Sequence, residues 1–241
     1  MSPRPLPQLN ALLEAHRDAL AACRRCGHEG VLPIVSVARA PRVMLVGQAP
    51  GKTETVDQRP FAGRAGKTLF RWLARAGIDE GMVRERMYIG AVTRCYPGPS
   101  PSGRGDRVPS PRERELCASW MEDELRLIRP RIILPVGRLA IDRFVGTLPL
   151  DAVIGRVIPV RHGGGESLAV PLPHPSGASS WVHEPAHRAL LERGLDLLRE
   201  ALVEAGVVSA EESAAARALA LGAAADVPAG RPRARSSRSA A

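Results

Sequence analysis

The stretch "RVMLVGQAPGKTETVDQRPFAG", residues 42–63, runs from a short apolar strand into a loop rich in glycine and proline. Helical patterns follow it and alternate with further apolar stretches: "MYIGAVTRC", "RIILPVG", "GRVIPV" and "SLAVPLPHP". Strands that alternate with helices indicate a parallel sheet covered on both faces. We therefore predict an α/β fold, a three-layer α/β/α arrangement around a central, mostly parallel four-stranded sheet.

Two loops at the expected strand ends carry unusual residues. One is residues 47–63, and the other is "HPSGASSW", which starts at His174 and ends at Trp181. Sheets of this kind bind ligands beyond the carboxyl ends of their strands. A functional site is therefore expected where these two loops meet.

The helical patterns divide the chain into a domain and a tail. Ser110, Pro111 and Glu113 supply a cap, a first-turn proline and an acid for a helix that runs to about Ile128. A long amphipathic helix, "EPAHRALLERGLDLLREALVEAG", ends at residue 206, and the composition then thins to Ala, Ser, Pro and Arg. We predict one domain over residues 1–206 and a disordered tail over residues 207–241.

The first loop contains a near match to a phosphate-binding loop. Gly51, Lys52 and Thr53 form the triplet that closes such a loop, but only three residues separate Gly47 from Gly51, where four are needed. A phosphate-binding loop also leads straight into a helix, and the proline and glycine at 60–63 interrupt one here. Both departures count against a nucleoside triphosphatase. It stays as an alternative that nucleotide binding would reveal.

The chain is basic, with a formal net charge of +9, of which +7 falls in residues 1–206. A basic domain suggests an anionic partner such as nucleic acid, although abundant solvated arginine would give the same total. No apolar run approaches the roughly 20 residues of a membrane span. The first residues, "MSPRPLPQLN", lack the apolar core of a signal peptide, so we expect a cytoplasmic protein.

The four cysteines form one close pair and two distant thiols. Cys23 and Cys26 stand in a C-x-x-C, Cys95 ends a predicted strand, and Cys117 lies in the next helix. Four thiolates suit either zinc or a [4Fe–4S] cluster, and spacing alone does not decide between them. Four unrelated buried thiols remain the alternative. Either metal centre would tie the first helix to the region after the second strand.

Taken together, these motifs resemble the uracil-DNA glycosylase superfamily, and in particular its iron–sulfur members, families 4 and 5. Those enzymes carry a G-E-[AG]-P-G-E-E-E-D-x-x-G-x-P-F-V-G loop, which "GQAPGKTETVDQRPFAG" matches without a gap. Their Y-I-T-N-x-V-K-C corresponds to "YIGAVTRC", and their late H-P corresponds to "HPSG". The resemblance spans residues 23–199 and implies a [4Fe–4S] cluster on the four cysteines.

The resemblance also implies a role for each matching residue. Glu54 corresponds to the acid that positions or activates water, with Asp57 as a nearby second candidate. His174 corresponds to the histidine that hydrogen-bonds the departing base. The expected base-binding residues are Phe61, on which the extruded base stacks, the backbone amides near Gln48 and Ala49, and Ala91.

The departures from the family motifs bear on base specificity. Gln48 replaces a glutamate, and Lys52 and Thr53 replace two acids. Ala91 stands where family 4 has the asparagine that reads the edge of uracil, and family 5 members also lack that amide. "GRAG" after Phe61 is nevertheless similar to family 4, so the sequence is intermediate between the two.

The implied function is a monofunctional glycosylase of DNA repair that hydrolyses the bond between uracil, or another deaminated base, and its sugar. It implies a monomer that flips the base out of DNA. The implied DNA-binding residues are Arg59, Arg64, Lys67 and Trp181, with Arg104 near the same loops. Trp181 would wedge between bases or, as the alternative, pack on the last helix. A non-catalytic iron–sulfur or zinc protein that binds nucleic acid is the competing interpretation, favoured by the lost acids and the lost asparagine.

Overall fold

The computed structural model describes residues 5–27, 31–38, 41–102, 105–176 and 181–225. Its strands are β1 (Val43–Gly47), β2 (Met87–Ala91), β3 (Ile132–Pro135), β4 (Ile158–His162) and β5 (Gly165–Ala169). Its helices are α1 (Leu6–Ala21), α2 (Lys52–Asp57), α3 (Arg64–Arg75), α4 (Glu80–Arg86), α5 (Pro111–Ile128), α6 (Arg138–Phe144), α7 (Leu150–Val153), α8 (Pro185–Glu204) and α9 (Ala210–Ala225), with a 3-10 turn at Trp181–His183.

The strands form one sheet in the order β2-β1-β3-β5-β4, in which only the β4–β5 pair is antiparallel. The predicted mostly parallel α/β sheet is therefore confirmed, but the predicted count of four strands was wrong. The additional member is a hairpin partner at one edge, where β4 pairs with β5 through a short turn. A two-residue link of this kind joins only antiparallel strands, whereas the parallel strands need helical crossovers.

Both faces of the sheet are covered, as the three-layer prediction required. Val43 and Leu45 of β1 pack into an apolar cluster with α3, α4 and α8. Met44 and Val46, which point the opposite way, pack into a second cluster with α1, α5 and α6. Successive residues of a strand face opposite sides, so a fully apolar strand indicates burial on both.

The long helix α5 begins as the sequence predicted. The Ser110 hydroxyl accepts a hydrogen bond from the Glu113 amide, and the Glu113 carboxylate accepts one from the Ser110 amide. Pro111 occupies the first turn, where its missing N–H costs nothing, and the helix ends at Ile128. This capping box fixes where the chain turns into the helix that carries Cys117.

The chain beyond residue 206 departs from the prediction of a disordered tail. Residues 210–225 form α9, which packs against α3 and buries Ser213 and Ala216. The prediction was wrong there because alanine is the strongest helix former, and α9 needs only a narrow contact surface. Residues 226–241 lie outside the described residues.

One edge of the sheet is covered by an irregular segment. The segment 31–38 runs beside β2, where the Ile34 amide donates to the Arg94 carbonyl and Ser36 Oγ accepts from the Ile89 amide. Within the described ranges, no helix combines the length and apolar character that crossing a membrane requires.

Candidate base-excision site

The ends of β1 and β2 lie side by side, and this sets the position of the candidate site. Gly47 pairs with Ala91 in the parallel register, and the amides of Val92 and Thr93 donate to the carbonyls of Gly47 and Gln48. The loops that leave the two strands therefore start together at the carboxyl edge of the sheet, as expected for a ligand site.

A cavity of about 360 Å³, its mouth included, opens at this edge. It brings together four of the predicted residues: Ala49, Glu54, Phe61 and Ala91. The other two lie outside it. Gln48 is half-buried beside the cavity, and His174 lies further along the same edge of the sheet. Arg94, which the sequence analysis did not single out, also lines the cavity.

Phe61 reaches the cavity through an unusual backbone conformation. Its φ is +53°, in the left-handed region that side chains rarely adopt. Its ring lies so close to β1 that a Cβ on Gly47 would stand 2.8 Å from the ring Cζ. The absence of a side chain at Gly47 thus lets the ring lie directly on the end of β1.

Arg84, on α4, braces the Phe61 loop from behind. Its Nη1 donates to the Pro60 carbonyl at 3.1 Å, and its guanidinium lies 4.7 Å from the centre of the Phe70 ring. Arginine stacked on an aromatic face is attracted to the ring electrons. The position of Phe61 therefore depends on α3 and α4 as well as on its own loop.

Glu54 is buried in the first turn of α2, and backbone amides hold both of its oxygens. Oε2 accepts from the Gly51 amide and Oε1 from the Gly63 amide, each at 3.0 Å. The carboxylate therefore joins the start of α2 to the start of α3. Asp57, the second candidate acid, is exposed at the end of α2 and does not line the cavity.

The loop after Gly51 differs from the prediction but still does not suit a phosphate. The sequence predicted no helix directly after Gly51, yet α2 begins at Lys52. The Glu54 carboxylate occupies the amide that a phosphate would need, and a second acid, Asp106, lies within 2.8 Å of where a Cβ on Gly51 would be. Negative charge at this point opposes phosphate binding, because like charges repel.

His174 is arranged as a neutral hydrogen-bond donor. The Ser176 amide donates to its Nδ1 at 3.2 Å, so the ring proton of the neutral form lies on Nε2. Burial lowers the pKa of His174, which keeps the ring uncharged at neutral pH. Its ring packs on Gly137, and the neighbouring Val136 amide donates to the Val46 carbonyl of β1.

The four cysteines line one cavity between the end of α1, the end of β2 and α5. Burial, with Cys26, Cys117 and Cys23 nearby, raises the pKa of Cys95 to about 12. Trp120 Nε1 donates to Cys23 Sγ at 3.3 Å. In the described part of the chain, no three His, Cys, Asp or Glu side chains stand in the geometry of a bound metal ion. The donor set nevertheless fits a thiolate centre, because four clustered thiols ionise together only beside a metal charge.

The predicted DNA-binding residues fall into two groups. Arg59, Arg64 and Lys67 are all exposed, and none forms an ion pair with a described residue. The position of Trp181 does not support insertion into DNA, because its ring stacks on His187 of α8 with 4.2 Å between centroids. This supports the packing alternative. Arg104 and residues 177–180 lie outside the described residues.

Comparison with known proteins agrees with this geometry. The model of the uracil DNA glycosylase superfamily matches residues 35–197. The chain belongs to the uracil DNA glycosylase superfamily. A type-4 uracil-DNA glycosylase of Archaeoglobus fulgidus is 32% identical over 166 residues, which cover 65% of this chain and 78% of the relative.

Relatives of two types within the superfamily match the chain. A type-4 uracil-DNA glycosylase of Sulfurisphaera tokodaii is 26% identical over 78% of this chain and 84% of its own length. A type-5 uracil-DNA glycosylase of Pyrobaculum aerophilum is 34% identical over 41% of this chain and 46% of its own length. The resemblance to the superfamily that the motifs suggested is thus confirmed.

Two residues at the superfamily site were missed by the sequence analysis, namely Arg84 and Arg94. Arg94 is only 3% exposed, whereas arginines usually lie at the surface, so its residue type gave no reason to expect it in a buried site. The one available signal was its place at the end of a strand, directly before Cys95. Arg84 acts on a loop 24 residues away, a contact that no local pattern predicts.

Proposed function

We propose that this protein is a DNA repair glycosylase that hydrolyses the N-glycosidic bond of uracil in DNA. The observation that carries the proposal is the cavity at the ends of β1 and β2, where an aromatic ring and a buried carboxylate face the same space. Membership of the superfamily supports it, as does the similarity to relatives named as uracil-DNA glycosylases. The protein acts as a monomer in the cytoplasm.

The base is held mainly by stacking. A base inside duplex DNA hides its glycosidic bond, so it must first be flipped out of the helix. Phe61 offers an aromatic face at the cavity, and stacking of a base on such a ring is worth about 1–3 kcal/mol. The amides near Gln48 and Ala49 hold a carbonyl oxygen of the base. Ala91 lines the cavity without an amide that would select uracil, so we expect excision of other deaminated bases as well.

The bond is broken by stabilising charge on both products. As the bond between the sugar C1′ and the base nitrogen breaks, its electron pair leaves with the base, and positive charge develops on the sugar. The Nε2–H of neutral His174 donates to the base anion, and one such donor is worth roughly 100- to 1000-fold in rate. The Glu54 carboxylate stabilises the sugar cation and orients water.

Water completes the reaction. Its oxygen bonds to C1′, and its proton is taken up by Glu54 and passed to solvent or to the base anion. Glu54 keeps lone pairs free for this, because its two amide partners each occupy only one per oxygen. The products are an abasic site and the free base, with no change in oxidation state.

DNA is held through its phosphates. Arg59 lies exposed between α2 and α3, and Arg64 and Lys67 are exposed near the start of α3. Cations that neutralise phosphates release bound counterions, so binding weakens as salt rises. Affinity for abasic or uracil-containing strands should therefore fall steeply with ionic strength, and less steeply in an Arg59→Ala, Arg64→Ala variant.

A [4Fe–4S] cluster is proposed on Cys23, Cys26, Cys95 and Cys117. When bound, it supplies a covalent link between α1, the end of β2 and α5, and takes no part in the hydrolysis. Anaerobically purified protein should contain about four iron and four sulfide per chain. Zinc in place of iron would contradict this assignment and leave the glycosylase proposal standing.

The test is base excision from oligonucleotides that carry one uracil, hypoxanthine, xanthine or ethenocytosine, in single and double strands. Abasic sites are revealed by alkali, and Asp57→Asn serves as the matched control for Glu54→Gln and His174→Ala. We expect excision of uracil that is lost in the two variants and kept in the control. Binding of DNA without any excision, by protein with its full metal content, would instead identify a non-catalytic binding protein.

A further inference from the structure

Arg94 places a buried positive charge at the wall of the candidate base cavity. It follows β2, is 3% exposed, and lines both this cavity and the one formed by the four cysteines. A guanidinium carries five N–H donors and no acceptor. Burying one is costly unless its charge is paired, so its contacts reveal what it is for.

One side of the guanidinium is held by a buried network. Arg94 Nη2 donates to Glu124 Oε2, and Glu124 is fully buried. The other oxygen of Glu124 accepts from the Tyr88 hydroxyl at 2.7 Å and lies 3.3 Å from His16 Nε2. Burial and the nearby carboxylate raise the pKa of Tyr88 well above its usual value, so its hydroxyl stays a donor. The network fixes the plane of the guanidinium.

The guanidinium also packs against Gly90 of β2, which lines the same cavity. A Cβ on Gly90 would stand only 2.3 Å from Arg94 Nη1, so a glycine is needed at this position. Ala91, the next residue, has the small side chain that leaves the cavity open. Among the described residues, Nη2 is the one guanidinium nitrogen of Arg94 with an acceptor, and neither Nη1 nor Nε has one. The site thus holds a rigid donor that lacks an acceptor.

We propose that Arg94 determines base specificity by donating from Nη1 to a carbonyl oxygen of the flipped base. The proposal rests on the glycosylase function and names the substrate class of that site as bases with a keto group at the contacted position. Cytosine and adenine present an amino group on the edge where uracil and hypoxanthine present an oxygen. An amino group against a guanidinium leaves both donors unpaired, which a buried site rejects strongly.

The test replaces the contacted oxygen with sulfur, a much weaker acceptor. Excision rates are measured under single-turnover conditions on strands that contain uracil, 2-thiouracil or 4-thiouracil. Because cytosine shares the O2 carbonyl of uracil, only O4 distinguishes the two bases, so the wild-type protein should excise 4-thiouracil about 10- to 100-fold more slowly than uracil, as expected for one hydrogen bond to a charged group. Arg94→Lys, which keeps the charge but moves the donor, should excise that thio base and uracil at similar rates.

The thio ratio is the excision rate of uracil divided by that of the slow thio base. Because Arg94 also borders the cysteines, this ratio is needed to separate contact with the base from a structural role. Glu54→Gln is the control, and it should slow all three substrates by the same factor. An unchanged thio ratio in Arg94→Lys, with uracil still excised, would overturn the proposal while the glycosylase function stands. If the wild-type protein excises none of the three bases, both proposals fail.

A second variant covers the case in which Arg94→Lys loses iron or fails to fold. Gly90→Ala keeps both charged side chains but would bring a Cβ within 2.3 Å of Nη1 and 3.1 Å of Nη2, so the guanidinium must shift from its present position. This variant should excise uracil and the thio base at similar rates, while its iron content stays at the wild-type value. A thio ratio equal to that of the wild type would contradict the assignment of Nη1 as the donor.

Discussion

Replacement of Glu54 by glutamine should weaken the fold and the reaction by separate amounts. In the native chain, both carboxylate oxygens accept a backbone amide, from Gly51 and from Gly63. A glutamine keeps one oxygen that can accept from one of these backbone amides. Its NH₂ group would face the other backbone amide, and two donors cannot form a hydrogen bond. A hydrogen bond to a charged group contributes about 1.5–3 kcal/mol to stability. Because Glu54 is only 8% exposed, water cannot replace the lost bond, and the variant should lose most of this free energy.

The expected loss of stability sets the expected shift in melting temperature. For a domain of this size, 1 kcal/mol moves Tm by about 2–4 °C, so Glu54→Gln should melt roughly 3–12 °C below the wild type. Loss of the carboxylate should slow uracil excision by about 100- to 10,000-fold, the usual range for a positioned acid or base. Tm is measured by circular dichroism, and excision by single turnover well below the lower Tm.

Asp57→Asn provides the comparison, because it makes the same chemical change on the same helix at an exposed position. It should leave both Tm and rate close to the wild-type values. A Glu54→Gln variant with an unchanged Tm would refute the bracing of α2 against α3. An unchanged rate in a folded variant would refute the role of Glu54 in the reaction, whatever its effect on Tm.

Three further predictions concern Gly47, His174 and α9. Gly47→Ala should slow excision about 5- to 100-fold by displacing the Phe61 ring, with little change in Tm because only the ring tip must move. Gly222→Ala is the control, because a Cβ there meets open space. Equal excision rates for the two variants would contradict the stacking role of Phe61. Because burial lowers the pKa of His174 below its unfolded value of about 6.5, the unfolded chain binds more protons in the window below pH 6.5. Urea denaturation should therefore show stability falling as pH drops through that window, and less so in His174→Gln; parallel curves for the two proteins would argue against a neutral buried ring. A chain that ends at residue 206 should melt at a lower temperature than one that ends at 225, because α9 covers α3 and Glu212 pairs with Arg86; identical midpoints would show that α9 adds no stability.

The sequence predicted those parts of the fold that local chemistry controls. The capping box of α5 needs only three neighbouring residues, and the buried strands are marked by unbroken apolar runs. The helix α2 escaped prediction because its six residues are held by a bond from Glu54 to Gly63, nine positions away. The helix α9 escaped because its alanine-rich composition is shared by disordered segments, and its partner α3 lies far away in sequence.

In the candidate site, the sequence likewise predicted the residues that local motifs contain and missed those that depend on distant elements. The motif order indicated Glu54, Phe61, Ala49 and Ala91, and these residues meet in one cavity. It did not indicate Arg94, whose role depends on Glu124, Tyr88 and His16 from three other elements. For Trp181 the sequence left insertion into DNA and packing on the last helix both open, and the stacking of its ring on His187 supports packing.

The irregular segment beside β2 has a consequence for how the protein deteriorates. An edge strand with unpaired amides is a template for another chain, and here residues 31–38 shield it through Ile34 and Ser36. The proposed iron–sulfur cluster would tether the chain just upstream of that shield through Cys23 and Cys26. Oxidative damage at the cysteines would release the tether and bare the strand while the sheet behind it stays folded. Ageing preparations should therefore form oligomers before they lose helical signal, and a reducing, oxygen-free buffer should delay both.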